Sequence, residues 1–119
     1  EIVGSESYAL KARFSTVTGL RTGNDVQISG VNVGQVAEIS LDLKHNAAIV
    51  TMSLRNDITL SDDSIAAIKT SGLIGDKYIS ISPGGSGFEL QPGDMIIDTQ
   101  APVDIEELVS KYVFGNVDE

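Results

Sequence analysis

Four short stretches hold the residue types that could do chemistry, and three of them are quickly exhausted. The chain has one His and no Cys. His45 follows Lys44 in a polar turn, and without a second imidazole or a thiolate neither a metal site nor a nucleophile and base pair takes shape around it. It reads as a solvated turn residue. Asp57, Asp62 and Asp63 lack the glycine and closing Glu of a calcium loop, so they read as charges flanking a strand. Pro83-Gly84-Gly85-Ser86-Gly87 has the glycines of a phosphate-cradling loop but no Lys-Ser or Lys-Thr ending, and no helical pattern follows it. It reads as a turn. No catalytic residue, metal ligand or cofactor site is assigned, and an enzyme would need a titratable cluster that these spacings do not supply.

The fourth stretch, Thr70-Ser71-Gly72-Leu73-Ile74-Gly75-Asp76, sets two bulky apolar residues between two glycines where composition otherwise announces a polar turn. The only chemistry Leu73 and Ile74 offer is apolar contact. Gly72 and Gly75 act as loop hinges, because glycine adopts backbone angles that other residues resist. Two trajectories are then open. The loop tucks both side chains under the domain's own core, as most apolar residues are tucked, or its tip points away from the body to meet a partner or an apolar ligand.

The elements that hold this loop read as strands. Ile65 to Thr70 leads into it, and Lys77-Tyr78-Ile79-Ser80-Ile81-Ser82 leaves it with the alternation of a half-buried strand. Upstream, Tyr8, Leu10, Ala12 and Phe14 line one face of a first strand. A short strand over Asp25 to Ser29 precedes Gly30-Val31-Asn32-Val33-Gly34-Gln35-Val36, where glycines four apart predict a bend or bulge with two backbones close together. Ile39, Leu41 and Leu43, then Ala48, Val50, Met52 and Leu54, predict a β-hairpin about Lys44-His45-Asn46. Gln91-Pro92-Gly93-Asp94 is a turn before the apolar run Met95-Ile96-Ile97. From Ala101 the period changes. Ile105, Leu108, Val109, Tyr112 and Val113 fall on one face of an amphipathic helix, capped by Asp104 with Glu107 and closed by Gly115. That stripe packs on its own barrel or associates with copies of itself.

With 119 residues the chain fits one domain, and the 41% hydrophobic content with only 5% aromatic leaves Val, Ile, Leu and Ala to fill its core. The net charge of -9 argues against nucleic acid, whose phosphates call for clustered Lys and Arg, and against lying flat on an anionic bilayer. No apolar run approaches the roughly 18 residues of a membrane span. The first residue is Glu1 and not Met, which points to a fragment or processed form, with any anchor upstream of Glu1 out of view.

Taken together, Phe14 with Gly19-Leu20 and Gly23, Val26, Gly30-Val31 with Val33-Gly34 and Val36, Thr70 through Gly75 with Tyr78, and Gly93-Asp94 with Ile96 resemble the MCE (mammalian cell entry) domain family over nearly the whole chain. A single such domain followed directly by a helix looks most like the members that serve phospholipid transport in Gram-negative bacteria and maintain outer-membrane lipid asymmetry. The resemblance implies an all-β fold: a small seven-stranded barrel over residues 8–99, a C-terminal helix over 101–115, and flexible ends at 1–7 and 116–119. It implies a homohexameric ring with a central hydrophobic pore on the periplasmic side of the inner membrane. It also implies an N-terminal membrane anchor, an ABC permease and ATPase beneath the ring, and a soluble periplasmic lipid carrier above it. The family's pore-lining pair falls on Leu73 and Ile74, with Ile where the second position of the best-known relatives is Leu. The helix faces, gathered about the same axis, would lengthen an apolar collar. On this reading the module does no chemistry and passes phospholipid.

A non-transporting envelope adhesin or scaffold of the same fold is the competing expectation. An RNA-binding KH reading of Gly72-Leu73-Ile74-Gly75 fails, because the middle residues are apolar and the flanks read as strands.

Overall fold

The computed structural model describes residues 6–103 together with Ser110 and Tyr112. Alternation of apolar and polar residues builds the first and fourth strands, β1 (Ser7–Phe14) and β4 (Ala47–Arg55), which pair antiparallel from Ser7 opposite Arg55 to Phe14 opposite Ala48. On the other side of β4 lies the long β3 (Val31–Asp42), preceded by the short β2 (Asp25–Ile28). β5 (Ile65–Thr70) and β6 (Lys77–Ser82) form a second antiparallel pair, and β6 joins β2 in parallel. β5 and β6 begin and end where the sequence places them.

Closure comes from the segment after the Gln91–Asp94 turn. β7 (Met95–Ile96) pairs in parallel with β1, and β8 (Thr99–Gln100) pairs in parallel with β5, with only Ile97 and Asp98 between them. The sheet order is therefore β7-β1-β4-β3-β2-β6-β5-β8. Its two edges belong to one extended segment, so the ladder runs around a barrel. The Thr99 hydroxyl ties the seam by donating to the Arg13 carbonyl at 2.6 Å. Counting the split segment 95–100 as one strand gives the seven-stranded barrel that the family resemblance implies.

The core lies inside this barrel and is aliphatic, with Leu10, Ala12, Val26, Val50, Met52, Leu54, Ile79 and Ile96 fully buried and Phe14 the one large ring among them. At Gly34 the backbones of β3 and β4 come close together. A Cβ there would overlap the Ser53 carbonyl oxygen, so no larger residue fits without moving the strands. β-Bulges interrupt the registers at Val26/Gln27 and at Val36/Glu38, and such bulges bend a sheet toward closure. The Tyr8 hydroxyl closes one end by donating to the Ile58 carbonyl at 2.6 Å. Burial, helped by the nearby Glu89 charge, pushes its pKa up and keeps it a donor.

The expected β3–β4 hairpin forms, with Leu41 opposite Ala48 and Asp42 opposite Ala47 near its tip. Of its alternating apolar residues Ile39 packs partly on the core, whereas Leu41 is 67% and Leu43 76% exposed. Beyond Glu38, β3 pairs with β4 alone, and β1 ends at Phe14 opposite Ala48. The barrel stops beneath this end of the hairpin. The expected amphipathic helix lies almost wholly outside the described residues, including Ile105, Leu108, Val109 and Val113. Tyr112 is described and is exposed.

Candidate functional site

Strand directions gather the site at one rim. β1, β3, β5 and β8 all run toward it, as their pairings require. This rim therefore carries residues 15–24, the hairpin tip 43–46, the β5–β6 loop 71–76, and the exit of the chain through Ala101–Val103. Ser29-Gly30, residues 56–64 and residues 83–94 lie at the opposite rim.

The β5–β6 loop is a fixed projection. Its ends are joined by the Ser71 amide donating to the Asp76 carbonyl at 3.0 Å. Gly72 has φ +73, in the left-handed region that favours glycine, with open space around it. Gly75 is glycine for a different reason, since a Cβ there would overlap the Ser71 carbonyl oxygen. Between these two glycines, Leu73 is 79% and Ile74 97% exposed. The tucked trajectory is therefore excluded. Leaving two such side chains in water forgoes about 3 to 6 kcal/mol relative to burying them, at about 1.5 to 3 kcal/mol each.

Polar contacts hold the loop's base. The Lys77 ammonium donates to the Thr70 hydroxyl at 2.6 Å, bridging the last residue of β5 and the first of β6. Arg21 Nη2 lies 3.3 Å from Asp76 Oδ1, an exposed pair that links the 15–24 segment to the loop. Below the tip is an open cavity of about 310 Å³, bounded by Asn24, Asp25 and Gln27 on one side and Ser71, Asp76 and Lys77 on the other. Sequence reasoning missed Arg21, Asp25 and Lys77 as neighbours of the loop. The charged pair Asp76-Lys77 directly after Gly75 was the one local signal. Arg21 is 55 positions from Asp76 and gave none.

The acidic candidates prove structural. Asp63 accepts from the Ser61 hydroxyl at 2.5 Å and from the Gly85 and Ser86 amides at 3.2 Å, and these bonds, the hydroxyl's first, hold its carboxyl below the ordinary carboxylate value. Asp62 accepts from the Ser86 hydroxyl at 2.6 Å. They are thus anchors for the 83–87 turn and not loose charges at a strand edge. Asp57 pairs with Arg55 at 3.0 Å, and the Arg55 hydrogen bond lowers its pKa. His45 is exposed, as expected, but it is not free: Nδ1 lies 2.7 Å from Asp42 Oδ2, a contact that lowers the Asp42 pKa. Among the described residues no three His, Asp or Glu side chains converge on a metal site, and no helix is long and apolar enough to cross a membrane.

A model of the MlaD protein family matches residues 6–84, about two thirds of the chain and every strand that frames the loop. The chain belongs to the MlaD family. It is 34% identical over 116 residues to the Escherichia coli (strain K12) intermembrane phospholipid transport system binding protein MlaD, covering 92% of this chain and 63% of that protein. It is 31% identical over 116 residues to the Haemophilus influenzae protein of the same description, covering 94% of this chain and 70% of that one. The chain thus spans a little under two thirds of the E. coli MlaD. In structure it is similar to a chain of the Acinetobacter MlaFEDB complex in its ATP-bound Vtrans1 conformation. The TM-score is 0.81 at 28% identity, over 89% of this chain and 81% of that chain.

Proposed function

We propose that this chain is the phospholipid-binding, lipid-conducting subunit of a Gram-negative inner-membrane ABC transport system that maintains outer-membrane lipid asymmetry. The observation that carries the reading is the exposure of Leu73 and Ile74 on a loop whose base is pinned. An acyl chain of some sixteen carbons loses about 0.8 kcal/mol per methylene exposed to water, so a bare tail costs on the order of 10 kcal/mol to carry. One loop shields a fraction of that. Rotational symmetry repeats it, and six copies make an apolar collar from two residues per subunit.

In this reading residues 8–99 are the barrel that holds the collar. A helix over 101–115 leaves from the same rim and lengthens the passage with Ile105, Leu108, Val109, Tyr112 and Val113. The chain sits on the periplasmic side of the inner membrane through an N-terminal anchor. A permease and ATPase lie below it and supply direction, and a soluble lipid carrier receives or delivers lipid above. The subunit itself catalyses nothing.

A photoreactive amino acid tests the reading when placed at Ile74 of the full-length protein in membranes with labelled phospholipid. The same probe at Phe88, exposed at the opposite rim, is the control. Lipid adducts at 74 and not at 88 are expected. No adduct at 74 would favour a scaffold of the same fold.

A further inference from the structure

An apolar collar recognises acyl chains and nothing else, yet the loop that carries it stands over a polar cavity of about 310 Å³. That volume is about ten times the ~30 Å³ share of one water and lies within the range of small-ligand sites. Its lining suits the other half of an amphiphile. Lys77, Asp25 and Asp76 line the cavity together with the neutral polar residues Asn24, Gln27 and Ser71, and Gly23 and Tyr78 complete the wall.

The lysine is held in place. Its ammonium is fixed by Thr70, and its stem lies across Gly19, where a Cβ would come within 3.0 Å of Lys77 Cε. An ammonium so fixed still has donors to spare for a phosphate. Asp76 shares its charge with Arg21, whereas the Asp25 carboxylate has no side-chain partner among the described residues. With Asp76 offset by Arg21, the site leaves one cation, Lys77, and one anion, Asp25, for a ligand.

We propose that this cavity is the headgroup subsite for a zwitterionic phospholipid, with Lys77 facing the phosphate and the Asp25 carboxylate facing the tethered ammonium. The inference rests on the loop being a lipid contact. It follows from the juxtaposition of the two surfaces: Ile74 is two residues from Asp76, so at up to roughly 3.5 Å per residue the collar begins within about 7 Å of the cavity rim. The overall charge points the same way. Each chain carries a net charge of -9, which repels an anionic headgroup and leaves a zwitterion with no net charge unopposed.

The full-length protein is stripped of lipid and reloaded from vesicles holding equal phosphatidylethanolamine, phosphatidylcholine and phosphatidylglycerol, with bound lipid identified by native mass spectrometry. An exposed charge pair is worth up to ~1 kcal/mol, so the two zwitterionic lipids load about fivefold over phosphatidylglycerol. Asp25→Asn removes that preference, while Glu38→Gln, the same charge change on the exposed part of β3, keeps it. Lys77→Gln lowers phospholipid loading relative to diacylglycerol, which has no phosphate. Equal loading of phosphatidylglycerol by the unaltered protein, or equal loss of preference in Glu38→Gln, overturns the subsite while leaving the lipid reading standing. If no lipid of any class loads, the lipid reading falls and the subsite falls with it.

Discussion

The chain contains two glycine-bounded turns at opposite rims of one barrel, and they resolve the same backbone problem in opposite ways. Pro83–Gly87 is polar and is drawn back onto the body. Asp63 takes the amides of Gly85 and Ser86, Asp62 takes the Ser86 hydroxyl, and the buried Ser64 hydroxyl takes the Gly84 amide at 3.2 Å. A Cβ at Gly84 would meet the Asp63 carboxylate, so a larger residue there displaces the carboxylate that holds the turn. Gly72–Gly75 is apolar at its tip, and its bonds fix only its base, leaving Leu73 and Ile74 in solvent. The first turn spends its side chains on the fold. The second withholds them from the fold, which is what a surface meant for something outside the chain requires.

The sharpest way to break this contrast is Leu73→Asn with Ile74→Asn. Two apolar contacts of about 1.5 to 3 kcal/mol each are lost from the collar, so lipid transfer in reconstituted membranes falls at least about tenfold. Exposed substitutions stay within about 0.5 kcal/mol, so the melting temperature moves by no more than about 2 °C. A large fall in melting temperature would mean that the loop serves the core after all. Gly84→Ala inverts the pattern. It displaces the Asp63 carboxylate from the turn amides, lowering the melting temperature by more than the loop-tip pair does without changing transfer per folded subunit.

Asp63→Asn sharpens the same point through pH. The folded carboxyl titrates below its ordinary value of 3.8, so its contribution to stability is present above that value and lost as pH falls through the depressed one. The variant melts below the parent at pH 7, and the gap closes as pH is lowered beneath about 4. A gap independent of pH would assign the effect to packing. The smallest effect is Arg21→Ala. Its pair with Asp76 is exposed on both sides, so stability changes by less than about 1 kcal/mol in thermal melts, and less still in high salt.

Much of this fold can be read from alternation alone. β1 and β6 stand where apolar residues recur at every second position, because a barrel with a filled interior buries one face of each strand. Alternation marks Leu41 and Leu43 as one face of a hairpin but carries no sign of the height at which the barrel ends, and the core does not reach them. Asp62 and Asp63 looked like isolated edge charges because their partners lie 22 to 24 positions away, beyond any local pattern. Closure by the short pieces at 95–96 and 99–100 has too few residues to show a period. The loop itself was conspicuous, but two apolar residues between glycines carry no sign of direction. Only the finished barrel shows that nothing covers them.

Imaging the full-length assembly along its symmetry axis tests the central claim most directly. The account predicts six subunits around an opening whose narrowest ring is Leu73 and Ile74. A ring with these loops on its outer circumference, or a lone barrel with no axial opening, would contradict it.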